Sequence, residues 1–230
     1  MNNRIRPGGL WIGLIGVLSV ALVSGIAWAM LASGPGEPEP SETTAAPQSA
    51  GPEDIVCSDF SQFSGKFVED RSDYPVENVA AMLVTNRSDQ YLDLATLTYL
   101  VDGKAATFVV TGLPPGKSAW VLEKDRLTVG ADAVFQRQNC VTAFRAPSGF
   151  TGEIDLMSDG NNLTAVNRTD GTLKDVYVYY KALHTDGNFF GGITYRVGFG
   201  DLPPGQAVEK LAGHYTSEGA QVVRITWQEE

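Results

Sequence analysis

Three short motifs occur twice in the same order, and this internal repeat constrains the fold more than any other feature of the chain. Thr85-Asn86-Arg87-Ser88-Asp89 returns as Val166-Asn167-Arg168-Thr169-Asp170, Asp102-Gly103 as Asp186-Gly187, and Leu113-Pro114-Pro115-Gly116 as Leu202-Pro203-Pro204-Gly205. The offset grows from 81 to 84 to 89 residues, so the second copy carries small insertions, one of them between its Asp-Gly and its Leu-Pro-Pro-Gly. A unit of ~80–90 residues is the size of a small domain rather than of a solenoid repeat. Two tandem domains are therefore expected, over 55–146 and 147–230.

Both copies read as strands. Val176, Val178 and Tyr180 alternate with Tyr177 and Tyr179, Tyr195, Val197 and Phe199 with Arg196 and Gly198, and Val223, Ile225 and Trp227 with Arg224 and Thr226. Period two marks a pleated strand with one face inward. In the first copy Leu97, Tyr99 and Val101 run into Asp102-Gly103 and are followed by Phe108 and Val110, a hairpin pattern. No segment after residue 54 sustains a helical period. Short strands between turn signals predict an all-β fold, two tandem immunoglobulin-like β-sandwiches, with a single barrel built from both repeats as the alternative.

The N-terminal part has a different character. Leu10 to Ala32 is uncharged, preceded by Arg4 and Arg6 and followed by acids. At ~1.5 Å per residue this run spans ~34 Å as a helix, enough for a hydrocarbon core of ~30 Å with some tilt. The positive flank predicts a cytoplasmic tail (1–9), a transmembrane anchor (10–32) and extracytoplasmic domains. A cleaved secretory signal is the competing reading, with Ala27-Trp28-Ala29 as its cleavage pattern. Trp11 and Trp28, near the two ends of the run, suit the membrane interfaces of a true span. Gly9 and Gly13, and Ala21 and Gly25, space small residues four apart, a pattern that permits a homodimer but is also common in membrane helices generally. Residues 33–54 are rich in Pro, Gly, Ser, Thr, Ala and Glu and predict a disordered acidic spacer.

The part beyond the anchor has 15 Lys and Arg against 27 Asp and Glu, which argues against nucleic acid or anionic lipid as a partner. Cys57 and Cys140 are the only cysteines. An even count outside the cytoplasm predicts a disulfide tying the first strand of the first copy to its last, with a pair of buried thiols as the alternative.

Motifs that carry chemistry are scarce in this chain. The chain has no Gly-x-Ser-x-Gly, no His-Glu-x-x-His, no Gly-rich phosphate loop and no cysteine cluster. Its two histidines, His184 and His214, read as loop or strand-edge residues rather than as a catalytic or metal centre. Asp70 to Asp73 and Asp155 to Asn162 are oxygen-rich but miss the alternating ligand spacing of a calcium loop, and turn chemistry explains them more simply. Neither a catalytic residue, a metal nor a cofactor is predicted.

The recurring motifs carry one resemblance. Asn167-Arg168-Thr169, Leu173-Lys174-Asp175-Val176-Tyr177-Val178, Asp186-Gly187 and Leu202-Pro203-Pro204-Gly205-Gln206 together resemble bacterial FxLYD-type domains. That pattern has an Asn-Ser/Thr start, a Leu-Lys-x-Val strand, an Asp-x-x-Gly-like turn and a Leu-x-Pro-Gly close. The first copy is similar at Asn86-Arg87-Ser88, Leu94, Asp102-Gly103 and Leu113-Pro114-Pro115-Gly116, and neither copy has the Phe-x-Leu-Tyr-Asp stretch itself. The resemblance implies immunoglobulin-like sandwiches on bacterial envelope proteins, and it carries over no catalytic residue.

What remains is surface. The insertion of the second copy, Asn188-Phe189-Phe190-Gly191-Gly192, sets two phenylalanines after a predicted turn, and Tyr177 and Tyr179 share one face of a neighbouring strand. Loop aromatics often bind partners, so Tyr177, Tyr179, Phe189 and Phe190 form the candidate binding surface. The plainer reading is that a packed face covers them. The expectation is a single-pass bacterial membrane protein that binds or scaffolds an envelope protein without catalysis, with a glycan or small-ligand module as the alternative.

Overall fold

The computed structural model describes residues 49–67, 75–147 and 152–228, and these lie within one compact unit, Ala46–Glu230. The expected tail and anchor, the spacer up to residue 48, the paired small residues Gly9, Gly13, Ala21 and Gly25, and Asp70 to Asp73 fall outside the described residues. Among the described residues no helix is long and apolar enough to cross a membrane.

The described residues are nearly all β. In the first repeat the strands are β1 (Ile55–Gly65), β2 (Val76–Asn86), β3 (Tyr91–Val101), β4 (Lys104–Leu113), β5 (Ser118–Leu122) and β6 (Phe135–Arg145). The second has β7 (Ile154–Asp159), β8 (Asn162–Asn167), β9 (Leu173–Ala182), β10 (Phe189–Phe190), β11 (Tyr195–Leu202), β12 (Ala207–Leu211) and β13 (Ala220–Gln228). Two sheets, β1-β2-β5 and β4-β3-β6, enclose one core in the first repeat. The second repeats the same connectivity as β7-β8-β12 and β11-β9-β13 around a core of its own. The sequence repeat is thus a repeat of strand order, in separate sheets rather than one closed barrel.

The alternation in the sequence is the burial pattern. Leu97, Tyr99, Val101, Phe108 and Val110 are buried in the first core, and Val176, Val178, Tyr180 and Ile225 in the second. Asp102 and Gly103 both take positive φ (50° and 77°) and close the β3–β4 hairpin, where Val101 pairs with Lys104. Such a turn follows the twist of its strands and needs residues that tolerate the left-handed region. The Asp155 to Asn162 stretch is the β7–β8 hairpin.

The two longest recurring motifs meet in space. Asn86 is fully buried and donates to the Gln90 carbonyl (2.8 Å) and to that of Leu113 (2.9 Å), while its oxygen accepts from the Ser88 backbone (3.1 Å) and hydroxyl (2.7 Å). Asn167 does the same with Gly171 and Leu202 (both 2.7 Å) and with the backbone and hydroxyl of Thr169 (both 2.8 Å). The Gly116 and Gly205 amides, at φ +68°, donate back to the Asn86 and Asn167 carbonyls at 2.9 Å. Each Asn therefore ties the end of one sheet to the Leu-Pro-Pro-Gly crossover of the other. A short amide side chain is suited to that place because it supplies both donors and an acceptor.

The expected disulfide is absent: Cys57 on β1 and Cys140 on β6 are free thiols, half-buried against the same core. Cys57 is engaged with the Tyr99 hydroxyl and Cys140 with Arg137. Burial pushes both thiols above their ordinary pKa. At the N-terminal edge Pro52–Asp54 forms a 3₁₀ turn held by Arg137, which donates to the carbonyls of Pro52 (3.0 Å) and Ile55 (3.2 Å), so order begins before the expected spacer ends.

Candidate functional site

The insertion of the second repeat does not hang into solvent. Between β9 and β11 the chain crosses to the first repeat, where Phe189 and Phe190 extend its sheet by pairing in parallel with Ala119 and Trp120 of β5. The Gly191 amide donates to the Trp120 carbonyl (2.9 Å), and the Thr111 amide to that of Gly192 (2.7 Å). Successive residues of a strand point to opposite faces. Phe189 accordingly enters the first core, and Phe190 packs on Phe63 and Phe67 with ring centroids 5.6 and 5.0 Å away. Gly192 lies so close to the first repeat that a Cβ there would sit 1.9 Å from the Val109 carbonyl oxygen.

Lys181 completes the junction. It shares the outer face of β9 with Tyr177 and Tyr179 but is 0% exposed, because the first repeat covers that end of the strand. Its ammonium donates to the carbonyls of Ile193 (2.8 Å), Thr111 (3.0 Å) and Gly192 (3.1 Å), and lies 6.0 Å from the Phe189 ring. A buried cation tolerates such a site only when its donors are met, and three carbonyl dipoles do that here. Tyr179 and Val223 add apolar contact by packing on the core of the first repeat.

Two concavities open beside this junction. One, of about 160 Å³, is lined by Phe63, Ala81, Trp120, Leu122, His184 and Phe190, with Ser61 and Gln62 at its polar side. Asp186 orders its rim, accepting from Trp120 Nε1 (2.8 Å) and from the Asn188 amide (2.9 Å), with His184 Nδ1 at 3.0 Å. Burial works against the Asp186 carboxylate, but the Trp120, Asn188 and His184 bonds outweigh it and hold its pKa well below the ordinary value.

The other, of about 360 Å³, is lined by Tyr91, Asp93, Thr111 and Arg145 of the first repeat and Tyr179, Thr194 and Arg224 of the second. Asp93 pairs with Arg145 at 2.5 Å and with Arg224 at 3.4 Å. The Arg224 guanidinium lies over the rings of Tyr179 (4.5 Å) and Tyr91 (5.7 Å). Burial pushes the Tyr91 phenol up to about 12, despite the opposing pull of Arg224. Burial would also raise Tyr179, but a bond with Thr226 and the charges of Arg224 and Arg196 bring it below its ordinary value.

The four candidate aromatics thus occupy four settings. Phe190 lines the aromatic pocket, Tyr179 lines the charged cleft, and Phe189 is core. Tyr177 stays on the outer face of β9 with Arg196 over its ring at 5.2 Å. Lys181, Trp120 and Arg224 escaped the sequence reading. A lone base on the polar face of an alternating strand carries no mark of burial, and Trp120 sits in a strand too short to show a period. Among the described residues no group of three or more His, Cys, Asp or Glu is placed to hold a metal. No protein-family model matches this chain, and no curated protein matches it.

Proposed function

We propose that this chain is a membrane-anchored extracytoplasmic protein of the bacterial envelope that binds or scaffolds a protein partner without catalysis, using two immunoglobulin-like sandwiches as one rigid presenting body. The observation that carries this reading is the crossing of 183–194 onto the first repeat, where β10 joins its sheet and Lys181 locks the seam. Loosely linked sandwiches would leave their mutual orientation free, whereas strand addition and a buried cation make it part of the fold. The anchor and orientation rest on the Leu10 to Ala32 run with Arg4 and Arg6 before it, and an acidic body disfavours nucleic acid. Crosslinking of the full-length protein in its native membrane, followed by mass spectrometry, tests the proposal. A reproducible envelope protein crosslinked to the sandwiches is the expected result, and recovery of self-crosslinks alone would overturn it in favour of a homo-oligomer.

A second reading, a glycan or small-ligand module, is favoured by the aromatic pocket, where Phe63, Trp120 and Phe190 present rings beside the polar Gln62 and His184. Aromatic faces beside polar side chains suit a sugar ring. Titration of the full chain with soluble cell-wall oligosaccharides, read by calorimetry, separates the two: saturable binding that Trp120→Ala abolishes supports the ligand reading.

A further inference from the structure

We infer that the cleft between the repeats is a binding site for a carboxylate, of a size to take an amino acid or the last residues of a peptide. It lies apart from the aromatic pocket and goes beyond the proposed scaffolding role. Two guanidiniums, Arg145 and Arg224, face a single carboxylate, Asp93, so the cleft keeps a surplus positive charge on an acidic protein. Arg224 is the informative residue. Its side chain is only 12% exposed, its contact to Asp93 is long at 3.4 Å, and its Nε is buried with no hydrogen-bond acceptor. Arg224 lines the cleft with only a long contact to Asp93, so its guanidinium keeps bonding capacity that a ligand acceptor can take up. The guanidinium carbon lies over the rings of Tyr179 and Tyr91, and a guanidinium bonds its acceptors along its planar edge. A planar carboxylate matches that edge, and guanidinium–carboxylate pairs are among the stronger hydrogen bonds a protein makes. Arg145, half-exposed at 49%, stands at the rim as the second cation. The Tyr91 phenol stays protonated at neutral pH and adds a neutral donor.

Because the cleft uses residues of both repeats, it exists only while the 183–194 crossing holds them together, and a ligand there would tighten the seam. The test is a thermal-shift and calorimetric titration of the full chain in detergent with N-acetyl-alanyl-alanine, its C-terminal amide, and free alanine. The peptide acid is expected to bind saturably and raise the melting temperature, with binding weakened at least tenfold by Arg145→Gln and lost in Arg224→Gln. A response to free alanine as well would assign recognition to the carboxylate whatever its source, and a response to the peptide alone would assign it to a peptide end. Arg145→Gln changes a half-exposed side chain and keeps the test valid if Arg224→Gln fails to fold. Equal binding of acid and amide, no binding of either acid, or an Arg145→Gln affinity equal to wild type would overturn the inference.

Discussion

Lys181 of the second repeat donates to the Thr111 carbonyl of the first at 3.0 Å, so the end of a strand in one repeat is capped by the ammonium of the other. The same ammonium holds Gly192 and Ile193, and through them the returning limb of the 183–194 crossing. Lys181→Met keeps the length and removes the donors, leaving three carbonyls in a dry seam without that partner. The expected cost is about 3 kcal/mol, in the range for breaking a buried charged network. Urea unfolding measures it, and limited proteolysis should show new cleavage within 183–194.

Close approach of backbones at Gly192 gives a second handle. Gly192→Ala would place a methyl 1.9 Å from the Val109 carbonyl oxygen, so the crossing must lift from β4. A loss of about 2 kcal/mol is expected from such overpacking. Gly130→Ala meets nothing within 4 Å and should leave the urea midpoint within about 0.5 kcal/mol of wild type.

The paired asparagines should behave alike. Asn86→Ala and Asn167→Ala each remove two donors and the acceptor that orders a turn, in buried positions. About 3 kcal/mol of destabilisation is expected for each, and Asn→Asp should be no milder, because a carboxylate cannot donate to the Leu113 or Leu202 carbonyl. Denaturant titration of the four variants checks the symmetry between repeats.

Acid should loosen the crossing at its outer end. The Asp186 carboxylate has its pKa lowered below its reference value of 3.8, so its contribution to stability is present above that pH and is lost as pH falls towards the folded-state pKa. Asp186 is well exposed, so the effect is modest. The melting temperature should drop between pH 4 and pH 2 with a change in Trp120 fluorescence. Asp186→Asn should lack that component of the drop.

Much of the architecture is legible in the sequence. Val176, Val178 and Tyr180 alternate in the sequence because they alternate in the sheet, and Asn-Arg-Ser/Thr and Leu-Pro-Pro-Gly recur because they are two halves of one tie. Motifs of this kind are read locally, or from copy to copy, without knowing what packs on what. The seam was not legible for the opposite reason. Phe189 looked like a surface aromatic because its cover is β5, about 70 residues earlier, and nothing local marks a loop that will become a strand of another sheet. Lys181 and Arg224 occupy polar positions of alternating strands, where burial comes only from the neighbouring repeat. Cys57 and Cys140 read as a disulfide from count and compartment, and neither observation says how the two thiols are placed in the fold.

The central claim is that both repeats behave as one body, and their tryptophans can report on each separately. Trp120 lies in β5 of the first repeat and Trp227 in β13 of the second. The direct measurement is urea unfolding of the full chain labelled with 5-fluorotryptophan at its four tryptophans, following the resonances of Trp120 and Trp227 assigned through Trp120→Phe and Trp227→Phe. Loss of both native resonances at the same urea concentration, with separation of the midpoints in Lys181→Met, is the predicted result. Different midpoints in the wild-type protein would mean that the repeats unfold independently, and would contradict the account.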